Sequence, residues 1–343
     1  EKKCERNAYH MKRDALVDRL KGYACLLVLF GHVILGVRTS GITTPSFMLT
    51  AENFIWSFHI DLFMFLSGFV YRLTGGCTAK GSRLSFIANK LLNLGVPYLL
   101  FSIVYIAANA ITPGVNHESS LFDILLLWYK PVAQYWFLYA LFWLFVLWTV
   151  LSKWFNHPTI TILLFTILTA CKIFQINLGF LDSSLHCALA FGLGTCLPSL
   201  YTEKIPKAVQ IAAPPLHLIT VVTLLISGCY SLLFIDDVCT VFGIFASICF
   251  IFLLTKINAV ARFLDLICRC SFPIYLLHTF FTAAMRIVLL KCGIHSYVLH
   301  LILGTAIGLA APIAIAKITS KSPYLNFVFY PSRSIKQIRA RKR

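Results

Sequence analysis

Three imidazoles and one carboxylate lie where the surrounding sequence is apolar: His32, His59 and His278, with Asp61 two residues beyond His59. An imidazole, with an unperturbed pKa of about 6.5, passes a proton in either direction near neutrality. Beside a carboxylate it is the ordinary arrangement for activating a hydroxyl. Each of these groups is costly within apolar surroundings, so each is a candidate functional residue. A second reading stands beside this one, in which each histidine is a satisfied interhelical hydrogen-bonder. His186, just after Asp182, is placed to contact a polar substrate. No metal chemistry is expected: the twelve cysteines are scattered, none forms a C-x-x-C pair, and neither a zinc site nor a disulfide framework follows. The run Gly75-Gly76-Cys-Thr-Ala-Lys80-Gly-Ser-Arg83 does not fit a phosphate loop, but its basic residues offer a surface to phosphates.

The elements that must position these groups follow from composition. Of 343 residues, 59% are apolar and 13% charged, and the mean hydropathy is +0.80. Soluble domains carry roughly 45–50% apolar and about 25% charged residues, so a soluble enzyme and a disordered chain are both excluded. What remains is an all-α polytopic membrane protein. Ten apolar runs are long enough to be spans: 22–37, 54–71, 91–111, 135–151, 159–176, 185–201, 209–229, 238–255, 271–290 and 296–316. Pro214-Pro215 interrupts the seventh. The first is expected to remain as a span rather than be cleaved as a signal peptide. The expected organisation is an N-terminal segment 1–20, a transmembrane domain 21–317 and a basic tail 318–343.

With both ends cytoplasmic, 25 basic residues fall on the inner side and 3 on the outer. That imbalance follows the positive-inside rule. The formal charge of +17 is therefore read as an orientation signal, with no nucleic-acid partner, and as contact with the lipid bilayer. Lys172 and Arg286 are expected near outer span ends, where long stems can snorkel to the interface. His32 follows Lys21 by eleven residues, about 16 Å along a helix. The second span returns antiparallel, so His32 and His59 are expected at similar depth, with His278 near the middle of the ninth.

Together these stretches resemble the membrane acyltransferase-3 family, the bacterial integral-membrane O-acyltransferases of surface carbohydrates. Lys21 through Gly31-His32 is similar to the family's basic residue, ten positions, then His, with Lys in place of Arg. Ser57-Phe-His59-Ile-Asp61-Leu-Phe-Met-Phe-Leu-Ser67-Gly68 resembles its Phe-His-x-Pro-Leu-Phe-Phe-Phe-Leu-Ser-Gly stretch, with Asp61 at the proline position. Lys90-Leu-Leu-Asn93-Leu-Gly-Val-Pro97-Tyr98 is similar to the entry of its third span, where Asn93 replaces a basic residue. Trp136-Phe-Leu and Ile274-Tyr-Leu-Leu-His278 also match, and the likeness runs in order from about residue 14 to 315.

The resemblance implies an O-acetyltransferase of the bacterial cytoplasmic membrane. Acetyl-CoA, or another acyl-CoA, would be the donor substrate rather than a bound cofactor. The acceptor would be a hydroxyl of a cell-surface or lipid-linked carbohydrate. It implies Lys21, Arg83 and Lys90 as partners of the CoA phosphates. His32 would be general base or acyl carrier, with His59 or Asp61 orienting it, and Ser67, Trp136, His186 and His278 would line the substrate path. The rival is a transporter or flippase of a lipid-linked sugar, for which a buried Asp and histidines would serve a proton relay; the absence of visible internal repeats weighs against it.

Overall fold

The first span begins where Asp14 caps it, its carboxylate accepting the N–H groups of Leu16 and Val17. From there an unbroken run of Leu, Val, Ala and Gly carries helix α1 (Ala15–Thr39). Its 25 residues rise about 37 Å, enough to cross a hydrocarbon core of about 30 Å. The computed structural model describes residues 14–76, 82–111, 120–200, 202–232 and 234–341. Most of the expected segment 1–20 lies outside the described residues, as do Lys80 and the last two residues of the tail.

The chain continues as α2 (Phe47–Trp56), α3 (His59–Leu73), α4 (Arg83–Lys90), α5 (Val96–Ile111), α6 (Trp136–Leu151) and α7 (His157–Phe174). Then come α8 (Asp182–His186), α9 (Ala188–Cys196), α10 (Lys207–Ile226), α11 (Ile235–Leu254), α12 (Asn258–Lys291), α13 (Tyr297–Thr319), α14 (Pro323–Asn326) and α15 (Pro331–Arg341). Among the described residues there are no strands, and nine helices are long and apolar enough to cross a membrane. They take up nine of the ten expected spans, α2 with α3 forming one and α4 with α5 another. The sixth expected span is the short pair α8–α9, about 22 Å over its length. Its alternating Ala188, Ala190, Gly192 and Gly194 let it approach α3 and α7 closely. A Cβ on Gly194 would overlap the Phe65 carbonyl, and one on Gly68 the Phe191 carbonyl.

Pro214 and Pro215 do not interrupt their helix after all: α10 runs through both. Neighbouring helices stabilise a proline-bearing helix in apolar surroundings. The strongest associations are α1 with α12, α12 with α13, and α3 with α9. Below, the near face is the side where α1 begins, and the far face the side where it ends.

Not every acid falls outside the spans apart from Asp61. Glu52, on α2, is 5% exposed and takes a two-pronged salt bridge from Arg38 in the last turn of α1, at 2.9 and 3.1 Å. Replacing Glu52 by Gln leaves the guanidinium one good acceptor fewer. The expected cost is about 1–3 kcal/mol, read as a lower thermal midpoint of the purified protein. An unchanged midpoint would show that the pair does not clamp α2 to α1.

Candidate active site

The second span is broken inside the bundle. α2 ends at Trp56, Phe58 has φ −152°, and α3 starts at His59. A break at this depth frees carbonyl groups that water cannot reach, so protein groups must take them up. Ser57 Oγ donates to Phe54 O (2.7 Å), the His59 Nδ1–H to Ile55 O (2.8 Å) and Thr240 Oγ1 to Ser57 O (3.0 Å). His217 of α10 wedges against the break, 5.2 Å from the Phe54 ring and 5.1 Å from that of Phe58. The break therefore fixes the depth and tautomer of His59, leaving Nε2 as its lone-pair nitrogen.

His278 is set the same way on α12. Its Nδ1 lies 2.9 Å from the carbonyl oxygens of both Ile274 and Tyr275. Carbonyls only accept, so Nδ1 carries the proton and Nε2 the lone pair. That Nε2 is buried, without a hydrogen-bond partner among the described residues. The ring of His32, half-buried on α1, stands 5.1 Å from the His278 ring, centroid to centroid. Trp56 bridges the remaining gap, its ring 5.8 Å from His32 and 5.9 Å from His59. Trp56 is 45% exposed, so one flank of the site is an open aromatic face.

The segment before α6 is clasped to α12 at this level. Gln134 Nε2 donates to Thr279 Oγ1 (2.7 Å), Tyr275 OH to Gln134 O (2.6 Å) and Tyr135 OH to Leu276 O (2.9 Å). Ala133 holds φ +45°, a left-handed conformation that a non-glycine residue adopts at a cost of order 1–3 kcal/mol. Sequence reading missed Gln134, Trp56 and His217. A lone amide two residues before Trp136, at the edge of an apolar run, was the one available signal.

Asp61 is not part of this cluster. Two residues along a helix turn a side chain by about 200°, so His59 and Asp61 face opposite ways. Asp61 lies instead within electrostatic range of Lys172, Asp236 and Asp237. Lys172 does not snorkel free: its Nζ holds Asp237 at 2.9 Å and Asp236 at 3.3 Å. His186 lies apart as well, an exposed ring 3.6 Å from Asp182. Ser67 is two turns along α3 from His59, toward the near face, and Trp136 packs half-buried against the main core.

The near face carries two clefts. One of about 340 Å³ is lined by Arg72, Arg83, Tyr71, Phe155 and His157, among others. The second, of about 710 Å³, is lined by Arg19, Lys204 and Lys256 with Asp14 and Glu203. Of the three expected phosphate partners, Arg83 reaches the smaller cleft, and Lys21 and Lys90 line neither. Lys90 lies over the Phe145 ring, Nζ 3.5 Å from its centroid. Asn93, the departure from the basic residue, joins Asn89 in holding Ser332 of α15 at 2.7–3.2 Å. This position anchors the C-terminal helix.

A multi-pass helical membrane protein with imidazoles gathered inside its bundle is the class that fold and site define. A family model described as an acyltransferase domain matches residues 14–317, and the chain belongs to the membrane acyltransferase-3 family. It is also similar to the nodulation protein NolL of Mesorhizobium japonicum, 30% identical over 154 residues. That match covers 44% of this chain and 39% of the relative's length. No solved structure matches the chain.

Proposed function

We propose that this acyltransferase carries an acyl group, acetyl by preference, from acyl-CoA at the near face to a hydroxyl of a carbohydrate or lipid-linked glycan reaching the site from the far face. On this reading the near face is cytoplasmic and the membrane is the bacterial cytoplasmic membrane. The observation that carries it is the His32–His278 pair within the bundle, at ring contact and with the His278 lone pair turned inward.

The chemistry follows from the tautomers. On this reading an N–H of His32 turns onto the unpartnered His278 Nε2 when substrate binds, and that contact orients the ring. The other nitrogen of His32 takes the proton of the acceptor hydroxyl as its oxygen attacks the thioester carbonyl. The carbonyl carbon–oxygen bond to the acceptor forms, the carbon–sulfur bond breaks, and the CoA sulfur leaves with the proton from His32. The opening N–H groups of α3 have no partners within their own helix and stand beside the break, suited to a developing oxyanion. Arg83 and Arg72 at the near-face cleft suit the phosphates of CoA. The open face of Trp56 suits a sugar ring.

Purified protein given radiolabelled acetyl-CoA and an extract of bacterial envelope glycans tests the reading. Alkali-labile label in the glycan is the expected result. Glycan moved across a vesicle membrane with no ester formed would favour transport instead.

A further inference from the structure

We propose that Arg286 is an anion-reading group for the acceptor: the acceptor carries a carboxylate or phosphate close to the hydroxyl that is acylated. The proposal deepens the acyltransferase reading above and rests on it.

Arg286 lies on α12 eight residues after His278, about two turns closer to the far face and rotated by about 80°. Its guanidinium lies against Gly36 of α1, where any Cβ would collide with Nη1. Gly36 is four residues beyond His32 on one face of α1, which puts the guanidinium about 6 Å farther along the helix than the imidazole pair. Tyr105 of α5 is within its electrostatic range.

Charge accounting singles this residue out. Toward the far face, Arg38 holds Glu52, and Lys172 holds Asp236 and Asp237. Arg286 is half-buried and has no acid or hydrogen-bond partner among the described residues. A guanidinium kept in a low-dielectric interior without a counterion is costly unless a ligand supplies one. Its planar fork matches carboxylate and phosphate oxygens in pairs. On the acyltransferase reading the phosphates of CoA go to the opposite end of the bundle, where Arg83 and Arg72 line a cleft. An anion reaching Arg286 therefore comes with the acceptor. The small residue at Gly36 is what lets the fork lie directly against α1.

The test uses the full chain in phosphatidylcholine nanodiscs. Binding of methyl glucuronoside, glucose 1-phosphate and neutral methyl glucoside is measured by calorimetry. The expected result is binding of a charged probe at least tenfold tighter than the neutral one, with that preference lost in Arg286→Gln. Gly36→Ala, which retains the arginine but displaces its fork, is expected to weaken the same preference, and Arg286→Lys to restore part of it. Equal binding of charged and neutral probes by the unaltered protein would overturn the proposal. So would a preference that survives Arg286→Gln. In a parallel set of discs that also contain anionic phosphatidylglycerol, a thermal midpoint raised by that lipid only when Arg286 is present, while the sugar probes stay indifferent, shows that the residue reads lipid and the proposal also fails. Label transfer from acetyl-CoA by the unaltered protein is scored separately. Transfer without anion preference defeats this inference alone, whereas no transfer to any acceptor defeats the acyltransferase reading.

Discussion

His32→Ala is expected to lower acyl transfer by about 10²–10⁴-fold, the usual contribution of a positioned base. That is about 3–5 kcal/mol of barrier at 1.36 kcal/mol per tenfold. The reason is positional. His59 spends Nδ1 on a backbone carbonyl of α2, across the break, and His278 on carbonyls of its own helix, at 2.8–2.9 Å, so their rings are anchored. His32 is the half-buried member of the group, in ring contact with both His278 and Trp56. Removing its ring leaves a space beside the open face of Trp56, so added imidazole is expected to recover part of the lost rate. Full activity of His32→Ala, with elution and thermal midpoint unchanged, would remove His32 from the chemistry.

Gly68→Val should prevent the protein from accumulating as a folded species. At this crossing α3 and α9 meet backbone to backbone. A Cβ on Gly68 overlaps the carbonyl of Phe191, while across the same interface a Cβ on Gly194 overlaps that of Phe65 and the nitrogen of Phe69. Ordinary overpacking costs about 1–3 kcal/mol when side chains can shift. Here the obstacles are main-chain atoms of helices locked by other neighbours, so the two helices must part. Their separation would also disturb α3, which carries His59 at its first turn. Gly95→Ala is the contrasting case, because its Cβ meets only the side chain of Leu91, at 3.0 Å. Monodisperse elution of Gly68→Val at normal yield would show that this crossing tolerates side chains and is not the constraint the geometry implies.

These expectations draw on different layers of information. The helical class, nine of the spans and the set of histidines were legible because each depends on local sequence. A run of some twenty apolar residues has to be a helix in lipid, and an imidazole within it is visible by position alone. The matched depth of His32 and His59 was also within reach, since rise per residue is a constant. The sixth span was harder to read. Its apolar content suggests a full crossing at 185–201, but the chain makes two short helices there, because its glycines serve contact with α3 and α7.

Partnership is what the sequence left open. Adjacency of His59 and Asp61 along the chain suggested a dyad, yet helical rotation sends Asp61 toward Lys172, Asp236 and Asp237, from helices far away in sequence. His32 finds its partner 246 positions onward, in His278. Arg286 reads alone as an interfacial snorkel, and only the packing of α12 on α1 shows its guanidinium set against Gly36. Asn93 reads as a missing cation, and only the docking of α15 shows it as an anchor. The amino-acid order determined which groups lie within the apolar layer and at what height, because depth follows from counting residues along one helix. Which groups face one another depends on how each helix is rotated and on which neighbours its small residues admit, and those are properties of the packed bundle.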